Sequence, residues 1–133
     1  MTFTGIVRRV DRLGRIVLPK KLRLALGLKE LTDPIEIYLN GNDIVLKKFT
    51  ENMSVLGDLR CLDSFGRIVI PIAVREFLGI ESQRDSLEIY CEENNIILRK
   101  FEPVCIFCGE SEHLTSFKGK KICSTCLNEL KRA

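Results

Sequence analysis

The strongest constraint on this chain is that most of it is written twice. Residues 4–49 recur at 56–101 with a constant offset of 52 and no gap, and 20 of the 46 positions are identical. Matched residues include Gly5 with Gly57, Arg8 with Arg60, Asp11 with Asp63, Arg15 with Arg67, Arg23 with Arg75, and Glu36-Ile37-Tyr38 with Glu88-Ile89-Tyr90. The best-kept stretches are LGRIVLPKKLR, from Leu13 to Arg23, and FGRIVIPIAVR, from Phe65 to Arg75. Each reads as a glycine turn, a short apolar strand and a proline that opens a helix. Gly14 and Gly66 fall where a tight turn needs positive φ, and the branched runs Ile16–Leu18 and Ile68–Ile70 suit buried strands. Pro19 and Pro71 are placed at the first helical position, where a missing N–H costs nothing.

Each copy therefore predicts strand, strand, helix, strand, strand. In the first copy these are strands at Gly5–Val10 and Arg15–Leu18, a helix at Pro19–Leu26 stopped by Gly27, and a hairpin of Ile35–Leu39 with Ile44–Phe49 around Asn40–Asp43. Thr50–Val55 is a polar connector. The domain reading is 1–50 for the first repeat, 51–102 for the second and 103–133 for a cysteine-bearing module. Units of about 50 residues struggle to bury a sufficient core alone, so the copies are expected to pair with each other or with copies on a second chain.

Net charge is +3, but its distribution is uneven. Residues 4–26 carry seven basic side chains against one acid, for +6, whereas the equivalent 56–78 window balances at zero. The copies share a scaffold but not an electrostatic surface. No apolar run approaches the roughly 20 residues of a membrane-spanning helix, and the N-terminus lacks a secretion pattern, so a cytoplasmic protein is expected. In that compartment six cysteines argue for metal binding or free thiols over disulfides.

Past residue 101 the repeat ends, and Cys105-Ile-Phe-Cys108 is followed by Cys123-Ser-Thr-Cys126 after 14 intervening residues. Two such knuckles, each aiming two thiolates at one point, form a tetrahedral sulfur shell suited to Zn²⁺. Four thiolates leave no open position for water, so the zinc is expected to be structural. Gly109 and Gly119, the latter in a Phe117–Lys120 turn, fit a small hairpin, and Cys126 onward fits a terminal helix. His113 is superfluous as a ligand. Cys61 and Cys91 fall on strands and read as small buried hydrophobes.

TGIVRRVDRLGRIVLPKKLR followed by DPIEIYLNGNDIVLKKF resembles the DNA-binding (SpoVT-AbrB) domain of the AbrB family of bacterial transition-state regulators. The second copy, with FGRIVIPIAVREFLGI and DSLEIYCEENNIILRKF, is similar to it as well. The cysteine tail resembles treble-clef or ribbon zinc modules. The resemblance implies a mainly β fold with short helices: a swapped-hairpin β barrel formed by two tandem repeats, with arginines along one face meeting double-stranded DNA. The family's DNA-contacting arginines correspond to Arg8, Arg15 and Arg23 in the first copy and to Arg60, Arg67 and Arg75 in the second. Arg9, Lys20 and Lys21 extend the set. A further arginine common in the family just after the last of these is replaced here by Leu24 and Glu76.

A solvated basic face is the ordinary fate of such side chains, and basic clusters are a footprint of nucleic-acid binding, not proof of it. Guanidinium forks can pair with phosphates or guanine edges, whereas Lys20 and Lys21 suit phosphate alone. No histidine partners a nucleophile and no glycine-rich loop cradles phosphate, so an enzyme is not expected. The sequence reading is a nucleoid-associated, DNA-binding transcriptional regulator with a structural zinc. The alternative is an antitoxin-like or adaptor protein that uses barrel and zinc module for protein contacts. A homodimer and a protein partner for the zinc module both remain open.

Overall fold

Both copies fold in the same order. The first supplies β1 (Thr2–Arg9), β2 (Arg15–Val17), α1 (Lys20–Ala25), β3 (Pro34–Asn40) and β4 (Asp43–Lys48). The second supplies β5 (Asp58–Cys61), β6 (Arg67–Val69), α2 (Ile72–Leu78), β7 (Ser86–Glu92) and β8 (Asn95–Lys100). The computed structural model describes residues 1–50, 57–118 and 120–133, so most of the predicted Thr50–Val55 connector and Gly119 lie outside the described residues. Two units emerge, Met1–Phe101 and Glu102–Ala133.

Within the first unit each copy gives its opening strand to the other. β1 pairs with β7 and β5 with β3, while the β3–β4 and β7–β8 hairpins join through β4 and β8. The resulting six-stranded sheet runs β1-β7-β8-β4-β3-β5. Its register is nearly two-fold: Arg8 faces Leu87 on one side, and Arg60 faces Ile35 on the other. β2 and β6 form a separate two-stranded ribbon, continued by Leu18 N–H to Gly66 O and Ile70 N–H to Gly14 O, each 2.9 Å.

The expected closed barrel is corrected here. Among the described residues the sheet is open, with β1 and β5 at its two edges, and no ladder joins them. The physical reason is the pairing of β2 and β6. At three residues each, they pair with one another and add no ladder to either sheet edge.

One core serves both copies. Val10, Ile16, Leu18, Ile35, Ile37, Ile44 and Leu46 pack in a single cluster with their counterparts Leu62, Ile68, Ile70, Leu87, Ile89, Ile96 and Leu98. Strand alternation explains the selection: Ile35, Ile37, Ile44 and Leu46 occupy one face of the hairpin, so that face is buried and sets the register. The prolines differ from expectation by one position. Pro19 and Pro71 are helix N-caps with ψ near 140°, and the helices begin at Lys20 and Ile72. Cys61 also departs from the reading, since it is exposed on edge strand β5, whereas Cys91 is half-buried.

The second unit contains β9 (Leu114–Phe117), β10 (Lys120–Cys123) and α3 (Ser124–Arg132). Its small core is Cys105, Ile122 and Cys123, packed with Leu114, Cys126 and Leu127. Among the described residues no helix is long and apolar enough to cross a membrane.

Candidate nucleic-acid interface and four-cysteine site

The candidate interface is built from two turns. After β1, one oxygen of Asp11 accepts the backbone N–H of Leu13 at 2.9 Å and of Arg15 at 2.8 Å, and the other accepts Arg15 Nε at 2.7 Å. Asp63 repeats this with Phe65 N–H at 2.9 Å, Arg67 N–H at 2.8 Å and Arg67 Nε at 2.6 Å. A short carboxylate side chain closing its own turn is the usual reason for Asp at such a position. Burial would raise both carboxyls, but the backbone and guanidinium donors outweigh it and hold each below the ordinary aspartate value.

The same turns aim the arginines. In the β2–β6 ribbon Ile16 lies opposite Ile68 and both are buried, so alternation places Arg15 and Arg67 on the opposite face. Arg15 sits across from Val69 and Arg67 across from Val17, which makes the two arginines diagonal neighbours, about 7–8 Å apart at the backbone. An arginine tied through Nε keeps its two terminal nitrogens for a bidentate contact. Arg67 also lies over the Phe65 ring, 4.9 Å from its centroid, where the first copy has Leu13.

The nine basic residues expected at the interface fall into three groups. Arg8, Arg9, Lys20, Lys21 and Arg60 are exposed, with Arg60 paired to Asp58 at 3.5 Å. Arg15 and Arg67 form the aspartate-tied pair on the ribbon. Arg23 and Arg75 are drawn into the fold. Their Nε atoms donate to Leu18 O at 3.0 Å and Ile70 O at 2.9 Å, and each guanidinium lies over the other copy's turn glycine. A Cβ on Gly66 would stand 2.6 Å from Arg23 Cζ, and one on Gly14 would stand 2.5 Å from Arg75 Cζ. Arg23 is further ion-paired with Glu30, and Arg75 donates to Ser82 Oγ at 3.4 Å. Sequence reasoning missed this bracing because its partner is the other copy. It also passed over Arg12, exposed in the same turn as Arg15, although the local charge excess included it.

The exposed group is where the copies diverge. At the positions of Arg9, Arg12, Lys20 and Lys21 the second copy has Cys61, Ser64, Ile72 and Ala73, all exposed.

In the second unit the sulfurs of Cys105, Cys108, Cys123 and Cys126 all lie within 4.8 Å of one another, with Cys108 and Cys123 at 3.5 Å. A tetrahedral Zn–S₄ centre with bonds of about 2.3 Å requires sulfur separations near 3.8 Å, so the donor set fits. Backbone N–H groups support it: Phe107 donates to Cys105 Sγ and Cys126 to Cys123 Sγ, both at 3.4 Å. Burial would raise the Cys105 thiol, but N–H groups of Cys108, Cys123 and Phe107 prevail and draw it down to about 6. Cys126 is pushed up, first by its contact with Cys123 and then by burial. Four thiols this close cannot all ionise without a cation among them, and a divalent metal removes that conflict. His113 is exposed and outside the cluster.

Residues 7–51 match the family model described as antidote-toxin recognition MazE, bacterial antitoxin. Three curated relatives come from Bacillus subtilis (strain 168). The transition state regulatory protein AbrB is 52% identical over 54 residues, which is 41% of this chain and 55% of that protein. Stage V sporulation protein T is 48% identical over 59 residues, 44% of this chain and 32% of the relative. The putative transition state regulator Abh is 49% identical over 49 residues, 37% of this chain and 52% of the relative. The chain thus spans about half the length, or less, of the curated relatives it matches. Within these limits, the chain carries a domain of AbrB/MazE-like sequence.

Proposed function

We propose that the protein is a DNA-binding transcriptional regulator whose interface is the Arg15–Arg67 face of the β2–β6 ribbon, extended by the exposed cations of the first copy. The observation that carries the reading is the aspartate-tied arginine pair on one ribbon face. Pre-set guanidinium forks recognise phosphates or guanine edges at little ordering cost, and Arg8, Arg9, Lys20 and Lys21 add phosphate contacts. Relatives named as transition state regulators support it. The two repeats, 1–50 and 51–102, pair within one chain. Arg60 contributes from an edge already neutralised by Asp58, whereas Arg23 and Arg75 act by bracing the turns from which Arg15 and Arg67 project. The protein works in the cytoplasm on chromosomal DNA.

Binding of a labelled duplex selected from a random pool tests this at several salt concentrations. Arg15→Ala is expected to weaken binding about tenfold or more, and removing each phosphate contact to flatten the log–log salt dependence by about one unit. Unchanged affinity would favour the protein-binding reading that the MazE match also admits.

The four cysteines of module 103–133 hold a structural Zn²⁺. Metal analysis should give one zinc per chain, and chelation should unfold α3 and its hairpin while leaving DNA binding by Met1–Phe101 intact. A metal-free protein with an unchanged tail spectrum would refute the assignment.

A further inference from the structure

The cysteine unit carries a feature that zinc binding does not use. Beside the cluster is a cavity of about 400 Å³ with Ile122 at its base and Ile106, Phe117 and Leu130 around it. These last three side chains are more than half exposed, although a unit this small has few apolar groups to leave in water. The lip is basic. Lys118 Nζ lies 5.5 Å from the Phe117 ring centroid and Lys120 also borders the cavity, whereas Lys121 turns away to Ser116.

We propose that this groove docks an acidic amphipathic helix of a partner protein, with two or three large apolar side chains entering the cavity and carboxylates meeting Lys118 and Lys120. Charge selects the occupant. A second copy of the same surface would bring its own two lysines against these, while an acidic segment complements them. The geometry selects the mode. The walls come from a knuckle, a hairpin and a helix and are mostly apolar side chains, the kind of hydrophobic groove into which an amphipathic helix lays its apolar face. The inference is independent of the DNA reading and gives the chain a recruiting function.

The test uses the full zinc-loaded chain and a fluorescein-labelled peptide of about 15 residues, with leucines at i, i+3, i+4 and i+7 and glutamates elsewhere. Saturable binding that weakens with salt is expected. Phe117→Ser with Leu130→Ser should reduce it about tenfold or more, and Lys118→Glu with Lys120→Glu should do the same, both with zinc content unchanged. Lys20→Ile with Lys21→Ala should leave it intact, which separates groove binding from adhesion to the basic face of the other unit. The proposal is overturned by absence of binding up to about 1 mM, by equal binding of the groove variants, or by loss in the Lys20/Lys21 variant. It is equally overturned by a solution dimer that the Phe117/Leu130 variant dissociates, since the occupant is then a second copy.

Discussion

The two copies of the repeat have nearly superimposable internal chemistry and opposite surfaces. Asp11 and Asp63 make the same three bonds, Arg23 and Arg75 each cross to the other copy's turn glycine, and most of the buried core residues have buried counterparts. Outside, Lys20 and Lys21 become Ile72 and Ala73, Arg9 becomes Cys61, and Ala25 becomes Phe77, which is 67% exposed. Residues that hold the copies together answer to two partners at once, because the turn and cross-brace bonds of one half have their images in the other. Surface residues answer to none, and there the halves are free to separate in function. Under the proposed function, that asymmetry makes the first copy the chief source of DNA affinity and the second its scaffold.

The largest expected effect comes from exchanging those surfaces. Arg9→Cys, Lys20→Ile and Lys21→Ala together make the first copy resemble the second. They should weaken duplex binding on the order of 100-fold near physiological salt and flatten the salt dependence by about three units. The reverse set, Cys61→Arg, Ile72→Lys and Ala73→Lys, should tighten binding and steepen that dependence. If the first set leaves affinity unchanged, the basic surface of copy one is not the interface. If both sets weaken binding, the apolar surface of copy two contributes as well, and the division of labour fails.

A smaller effect should be shared equally by the two copies. Gly14 and Gly66 have φ of 79° and 78°, and each is covered by an arginine of the other copy. Alanine at either position must adopt an unfavourable backbone and displace that guanidinium from its carbonyl. Each substitution should cost about 2 kcal/mol in chemical denaturation of the Met1–Phe101 unit. A large cost at one glycine and none at the other would show that the cross-bracing is not reciprocal.

The repeat, the strand order and the hairpins were legible because the apolar period and turn residues are local signals written twice. The cysteine site was legible for the same reason, as spacing alone fixes a knuckle. The route of pairing was not: nothing within the first copy says that β1 pairs with β7 instead of β3. Nor could the sequence foresee the open sheet, because β2 and β6 pair with one another across the two copies and not with its edges. Arg23 and Arg75 mark the same limit at the interface. Their pattern is that of basic surface residues, yet their donors are taken by carbonyls and a glycine face supplied in part by the other repeat.

The smallest effect separates what symmetry controls from what it does not. Asp11 and Asp63 both titrate below the ordinary aspartate value in the folded protein: burial opposes ionisation, but the turn N–H groups and the tied arginine outweigh it. A depressed folded pKa contributes stability that is present above the unfolded value of about 3.9 and is lost as pH falls through the folded one. Denaturation of Met1–Phe101 should therefore become easier below about pH 4. Asp11→Asn and Asp63→Asn should flatten that acid limb to the same degree, since their environments match and both carboxylates are partly exposed. Their effects on DNA should differ, because Asp11 orients an arginine among exposed cations while Asp63 orients one stacked on Phe65. Unequal acid limbs would mean that the copies differ inside as well as out, and equal losses of DNA affinity would mean that the ribbon arginines act as a symmetric pair whatever surrounds them.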